Sequence, residues 1–68
     1  MKEDIINKII NYDNKNNLSW TSVYKEVLKD LKLDKELNNH DLLHSIVKEL
    51  TTLGYDITPI PFKLDKYK

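Results

Sequence analysis

The longest apolar stripe in the chain constrains its fold more than any other feature. Its members recur every three or four residues, and they are Leu42, Leu43, Ile46, Val47, Leu50 and Leu53. This spacing places them on one face of a helix. Gly54, the only glycine, follows directly and suits the left-handed position that ends many helices. We therefore predict a helix over about residues 39–53 with Asn38 as its N-cap.

Two shorter stripes predict two helices upstream of it. The first stripe consists of Ile5, Ile6, Ile9 and Ile10. It stops before a polar, asparagine-rich run that favours turns, and it predicts a helix over about residues 3–13. The second stripe consists of Val23, Tyr24, Val27, Leu28 and Leu31. It follows hydroxyl side chains that can act as N-caps, and it predicts a helix over about residues 20–32.

The period of the pattern changes after Gly54. The apolar residues that now alternate with polar ones are Tyr55, Ile57, Phe62 and Leu64. Alternation of this kind is typical of strands with one buried face. Pro59 and Pro61 lack backbone donors, so they fit an edge, a bend or the tip of a loop. We predict strands at residues 55–57 and 62–64, joined in a hairpin.

One small domain accommodates the whole chain. Its 68 residues are near the lower limit for a domain, and an apolar fraction of 40% supplies a single core. We predict a mainly α fold with a small β-hairpin, one domain over residues 1–68 whose hairpin spans residues 55–64. The core residues predicted from the stripes are Ile6, Ile9, Val27, Leu31, Leu43, Ile46, Val47 and Leu50.

Charge and cysteine content narrow the classes of function. The 11 basic residues balance 11 acidic ones, so the chain lacks a general electrostatic attraction for nucleic acid. All 11 basic residues are lysines, which lack the planar fork that arginine offers to phosphate or guanine. The absence of cysteine excludes a disulfide framework and a thiolate zinc site. No apolar run is long enough to span a bilayer, and we expect a cytoplasmic protein.

The order of these elements resembles that of winged-helix DNA-binding domains. Two segments carry the likeness. Leu18-Ser19-Trp20-Thr21-Ser22 stands where that superfamily has a short strand leading into its second helix. Ile46-Val47-Lys48-Glu49-Leu50-Thr51-Thr52-Leu53-Gly54-Tyr55 ends in the Leu-x-x-Leu-Gly-aromatic step that commonly joins a recognition helix to the wing. The resemblance covers roughly residues 3–65 and implies that the third helix is the recognition helix and the hairpin the wing.

This resemblance implies a small DNA-binding regulator or accessory factor of transcription. The third helix would enter the major groove of double-stranded DNA, and Lys63 of the wing would contact phosphate. The residues expected near base edges are Asn39, His44, Ser45 and Lys48. Because each chain offers so few cations to DNA, useful affinity would require a homodimer. The isoleucine stripe of the first helix is a candidate dimer interface. Abundant Lys, Asn and Ile, whose codons are AT-rich, would suit a phage or a mobile element.

The alternative is a non-enzymatic protein-interaction module, a small inhibitor or adaptor of a host protein, because many proteins use such a scaffold without binding DNA. Exposed aromatic side chains could form a binding surface for such a partner. Each candidate aromatic residue also lies where a small core would hold a large side chain, and we favour core packing. These candidates are Trp20, Tyr24, Tyr55 and Phe62. DNA binding would require a positive face on the third helix and the wing, whereas protein binding would require an apolar patch.

His40 and His44 are spaced as the zinc ligands of helical zinc peptidases are. Asp41 stands where those enzymes carry a glutamate base, and no third histidine or cysteine exists to complete a site. We therefore interpret the pair as two exposed histidines and expect no metal, no cofactor and no enzymatic activity. Added zinc should leave the melting temperature unchanged.

Overall fold

The computed structural model describes residues 1–67; Lys68, the last residue of the predicted domain, lies outside them. The described residues form three α-helices and one antiparallel hairpin, which confirms the predicted class, mainly α with a small β-hairpin. The elements in chain order are α1 (Lys2–Ile10), α2 (Trp20–Asp30), a 3-10 helix (Asp34–Glu36), α3 (His40–Thr52), β1 (Tyr55–Pro59) and β2 (Phe62–Lys66). Within this described part, no helix combines the length and the apolar character that crossing a bilayer requires.

The first two helices end earlier than their stripes predict. α1 ends at Ile10 rather than near residue 13, because the next backbone hydrogen bonds tighten into a turn. α2 ends at Asp30 rather than at residue 32, because Lys32 adopts a left-handed backbone with φ 58°. This conformation lets the N–H of Leu33 donate to the carbonyl oxygen of Leu28 at 2.8 Å, as in a Schellman motif.

α3 begins one residue later than expected. Its N-cap is Asn39, whose side-chain oxygen accepts a hydrogen bond from the N–H of Leu42 at 3.1 Å. The prediction of Asn38 as the N-cap is therefore wrong by one position; capping from Asn39 keeps Leu42 in the first turn, where its side chain reaches the core. At the other end, Gly54 has φ 93°, which confirms the left-handed glycine expected there.

A single cluster of buried side chains from all three α-helices and β2 forms the core. Its members are Ile5, Ile6, Ile9, Val23, Tyr24, Val27, Leu28, Leu42, Ile46, Leu50 and Phe62. Three predicted core residues, Leu31, Leu43 and Val47, are only half-buried. Leu31 follows the end of α2, and the apolar stripe of α3 is wider than the face that α3 buries. Leu43 and Val47 therefore lie at the margin of that face.

The aromatic side chains pack between the helices and the hairpin. Tyr24 and Phe62 are buried, which confirms their predicted core role, while Trp20 and Tyr55 are half-buried. The Trp20 ring lies 5.4 Å from the Tyr24 ring and 5.3 Å from the Phe62 ring, centroid to centroid. Trp20 thus connects α2 to β2.

Both strands extend two residues beyond their predicted ends. Ile57 pairs with Leu64 and Pro59 with Phe62, so Ile60 and Pro61 form the turn. Pro61 therefore lies in the turn and Pro59 at the end of β1, which agrees with the predicted edge, bend or loop tip, and the Ile60–Pro61 peptide bond is cis.

The connector between α1 and α2 joins the hairpin to the helices. The resemblance implies a short strand at Leu18, and this expectation is wrong: the backbone is extended at Ser19, but the segment is not a strand. The Leu18 oxygen accepts a hydrogen bond from the Phe62 N–H at 2.7 Å. The side chain of Asn14 completes the junction. Its amide nitrogen donates to the carbonyl oxygens of Leu18 (3.1 Å) and Phe62 (2.8 Å), and its oxygen accepts from the Leu18 N–H at 2.9 Å.

Candidate functional site

The outward face of α3 carries little net charge. The side chains exposed there include His40, Asp41, His44 and Lys48. Lys48 is the only lysine of α3, and the carboxylate of Asp41 offsets it. This face therefore offers hydrogen-bonding groups rather than a positive potential.

Two of the four residues predicted to reach base edges are engaged within the fold. Asn39 uses its side-chain oxygen to cap α3, whereas pairing with adenine needs the oxygen and the nitrogen of the amide together. Ser45 faces α1, where its hydroxyl accepts a hydrogen bond from the ammonium of Lys2 at 3.2 Å. His44 and Lys48 are the predicted contacts that remain on the outward face.

The outer face of the hairpin carries more acidic than basic charge. Lys63 is exposed there, opposite Thr58, as its predicted phosphate contact requires. Asp56 and Asp65 are paired directly across the strands on the same face. Two carboxylates beside one ammonium would repel phosphate. The pairing of these two carboxylates is not evident from the sequence, because it depends on the strand register that the two-residue turn fixes.

An apolar groove runs between the start of α2 and the adjacent flank of α3, and we call it the Trp20 groove. It consists of two adjoining concavities that share Trp20 and Leu43. The first, of about 270 Å³, is also lined by His44, Val47 and Lys48. The second, of about 380 Å³, is also lined by Thr21, Tyr24, Lys25, Leu37, Asn38 and His40. Apolar side chains form most of its floor, so this surface could receive apolar groups of a partner.

The rim of the Trp20 groove is cationic or neutral. Lys25 stands on the α2 side, and Lys48 stands on the α3 side with His40 and His44, the only two histidines of the chain. Among the described residues, no aspartate or glutamate lines either concavity. The whole sequence has equal numbers of acidic residues and lysines, whereas the charged residues that line the groove are lysines only.

Tyr24 lines the groove with an unsatisfied hydroxyl. The residue is only 3% exposed, and its hydroxyl oxygen is buried without a hydrogen-bond partner among residues 1–67. Burial raises the pKa of Tyr24 above its ordinary value, and the negative charge of Glu36 raises it further. A buried hydroxyl without a partner costs free energy, typically about 1–3 kcal/mol.

The two histidines do not form a metal centre with other ligands. Both are exposed near the start of α3, and among residues 1–67 no group of three or more histidine, aspartate or glutamate side chains is arranged to hold an ion. No metal binding stays our prediction, to be checked by calorimetric titration with zinc.

The isoleucine stripe of α1 is covered within one chain. Ile5, Ile6 and Ile9 are each at most 5% exposed, because they pack against α2 and α3. A homodimer through the first helix stays a prediction, and it would have to use the polar face that contains Asn7 and Lys8.

Sequence reasoning placed Trp20 and Leu43 in the core and so missed the groove. The signal that could have revealed it is the width of the α3 stripe, which exceeds what one buried face can hold. In comparisons with known proteins, no protein-family model, no curated protein and no solved structure matches this chain.

Proposed function

We propose that this chain is a small non-enzymatic protein-interaction module, an inhibitor or adaptor of a host protein, which binds its partner in the Trp20 groove. The observation that carries the proposal is an apolar concavity next to an α3 face without excess positive charge. DNA binding calls for the opposite distribution, a positive face on α3 and the hairpin.

The composition of the groove is that of a protein interface. Buried interface centres favour tryptophan and tyrosine, and their rims are polar. Trp20 and Leu43 lie at the centre of the groove, while Lys25 and Lys48 stand at its edges. The Trp20 ring is held against Tyr24 and Phe62, so little ordering of this side chain opposes binding.

Affinity capture from the native host, with nuclease present, tests this proposal. Leu43→Glu places a charge in the centre of the groove and should abolish capture of a host protein. Lys63→Glu, on the outer face of the hairpin, should leave capture unchanged. Circular dichroism of Leu43→Glu shows whether this variant still folds, so that loss of binding can be told from loss of folding. Lys25→Glu tests the charged rim of the groove without changing an apolar side chain. Equal capture by wild type and folded Leu43→Glu would refute the proposal.

The second candidate is the DNA-binding regulator implied by the winged-helix resemblance. It is supported by the exposure of His44 and Lys48 on one face of α3 and of Lys63 on the hairpin. A dimer using Lys48 and Lys63 should show a log–log salt slope of about −4 or weaker. Gel retardation of an AT-rich duplex at low salt that Lys63→Glu abolishes would favour this candidate over the first.

Lys48 cannot distinguish the two candidates, because it belongs both to the outward face of α3 and to the groove. Lys25 lies on α2, where it lines the groove and a neighbouring concavity that Asp34 also lines, and Lys63 lies on the hairpin. Charge reversal at each of these two positions therefore separates protein binding from DNA binding.

The proposal includes a cytoplasmic location and an origin in a phage or mobile element. A chain without cysteine has no disulfide to lose in a reducing compartment, and codons for Lys, Asn and Ile are AT-rich. Fractionation of native host cells tests the location, and the genes flanking this one test the origin.

A further inference from the structure

We infer that the Trp20 groove binds an acidic amphipathic segment of the partner protein, whose apolar side chains enter the groove while its carboxylates meet Lys25, Lys48 and the two histidines. This inference rests on the proposed protein-binding function and specifies the chemistry of the partner.

The size of the groove suits side chains of a peptide. Its two concavities, about 270 and 380 Å³, lie close to the lower end of the roughly 300–1,000 Å³ typical of small-molecule pockets. They adjoin along one helix flank, with Leu43 and Val47 one turn apart on α3. Successive apolar residues on one face of an amphipathic segment would fill such a pair.

The positive charge of the groove lining follows from the positions of the acidic residues on the helices. On α2, Glu26 accepts a hydrogen bond from the Tyr12 hydroxyl at 2.6 Å, and Asp30 lies 4.0 Å from the Lys8 ammonium. These acids thus face α1 and its connector, and Lys25 is left on the groove side.

α3 divides its two acids differently, because Asp41 shares the outward face with Lys48 and only Glu49 faces α1. Its Glu49 lies 3.7 Å from the Lys2 ammonium on the α1 side, whereas Lys48 lines the groove. Like Glu26 and Glu49, the acids Glu36 and Asp41 are sequence neighbours of lining residues but do not line the groove themselves. The charged side chains that line the groove, Lys25 and Lys48, are both positive, so complementary charge on a partner is negative.

A protein segment fits this surface better than a nucleic acid strand does. Single-stranded nucleic acids bind along a positive groove by stacking bases on exposed rings. Here two lysines flank the groove, and the Trp20 ring is half-buried and packed against Tyr24 and Phe62. Apolar insertion supplemented by a few rim charges matches an acidic amphipathic peptide.

Fluorescence of Trp20, the only tryptophan, provides a direct test. The probe is a synthetic helical peptide with leucine and phenylalanine at i, i+3, i+4 and i+7 and glutamate at its other positions. The controls are the same peptide with lysine for each glutamate and the same peptide with serine for each apolar residue. We expect a saturable change in Trp20 emission with the acidic amphipathic peptide alone.

Two double variants of equal net charge locate the binding. Lys25→Glu with Lys48→Glu reverses the rim, and Lys15→Glu with Lys63→Glu reverses two exposed lysines elsewhere. The rim variant should bind the peptide about tenfold more weakly, and the matched control should bind as the wild type does. Circular dichroism checks that both variants fold.

Equal binding of the acidic and basic peptides, equal weakening in the two variants, or binding of a single-stranded oligonucleotide in place of the peptide would overturn the inference. A rim-dependent self-association in sedimentation would also overturn it, because the occupant would then be a second copy. If Leu43→Glu abolishes capture of a host protein while the acidic peptide fails to bind, this inference falls and the proposed function stands. If capture is also insensitive to Leu43→Glu, both fall.

Discussion

A single amide, that of Asn14, joins the α1–α2 connector to β2. Its three hydrogen bonds link the α1–α2 connector to both sides of the Leu18–Phe62 contact. We predict that Asn14→Ala lowers the free energy of unfolding by roughly 1–3 kcal/mol, because partly buried backbone groups lose their partners. Urea denaturation measures the loss. Asn11→Ala is the matched control: the amide of Asn11 makes one exposed hydrogen bond, to the Asn7 oxygen, and its loss should cost clearly less. Equal losses would contradict the role given to Asn14.

A second prediction concerns ionisation of Tyr12. The hydrogen bond from its hydroxyl to the Glu26 carboxylate, followed by burial and the charges of Glu26 and Asp30, raises the pKa of Tyr12 from 10.0 to about 12. Folding therefore favours the protonated phenol. Its contribution to stability is complete below the unfolded pKa of 10.0 and disappears as the pH rises through about 12.

Ultraviolet titration tests this prediction by comparing wild type with Glu26→Gln. Removing the charge of Glu26 should return one tyrosine transition toward 10.0, and the same transition should be missing in Tyr12→Phe. An unchanged titration curve in Glu26→Gln would show that Tyr12 does not sense this carboxylate.

At the scale of elements, α3 has one apolar stripe but two different environments. Leu50 is fully buried, whereas Leu43 is half-buried beside the Trp20 groove. Leu50→Ala should cost about 2–5 kcal/mol, because it leaves a cavity in the core. Leu43→Ala should cost less, since solvent can occupy the space. Thermal and urea denaturation of the two variants measure the difference. Equal destabilisation would show that α3 is rotated relative to the face described.

The three α-helices and the hairpin could be predicted from sequence, but not their orientation, and the 3-10 helix Asp34–Glu36 was not predicted. The apolar stripe of α3 predicts a helix, and Gly54 predicts its end. Both are local signals, because each depends only on residues close together in the sequence. Asn38 and Asn39 can both cap a helix, and in the fold the side chain of Asn39 does so by accepting a hydrogen bond from the Leu42 N–H. The left-handed backbone conformation of Lys32 could not be predicted, because no glycine occupies that position.

The candidate site also depends on tertiary packing, which the sequence pattern does not specify. Leu43 and Trp20 read as core residues in the sequence, and their partial exposure arises from the angle at which α3 docks. The acidic pair Asp56 and Asp65 depends on strand register, which the two-residue turn sets. A site on the surface between elements is therefore harder to predict than the elements themselves.

At the scale of the whole molecule, helices and hairpin share one core and should unfold together. Phe62 of the hairpin is buried among helical side chains, and Trp20 bridges it to α2. A chain of 68 residues buries only about 60% of its unfolded surface, so no subset of its elements retains a core of its own. We predict one cooperative transition.

Two probes follow different parts of this transition. Trp20 fluorescence reports the contact between α2 and β2, while circular dichroism reports the helices, and in urea both should give the same midpoint. Phe62→Ala removes the main core contact of the hairpin and should cost about 3–5 kcal/mol, which lowers both midpoints together. Ile60→Ala, at the exposed tip of the same hairpin, should move neither midpoint appreciably, because that side chain is 79% exposed. A fluorescence transition that precedes the loss of helix would contradict the prediction, because the hairpin would then separate from helices that remain folded without it.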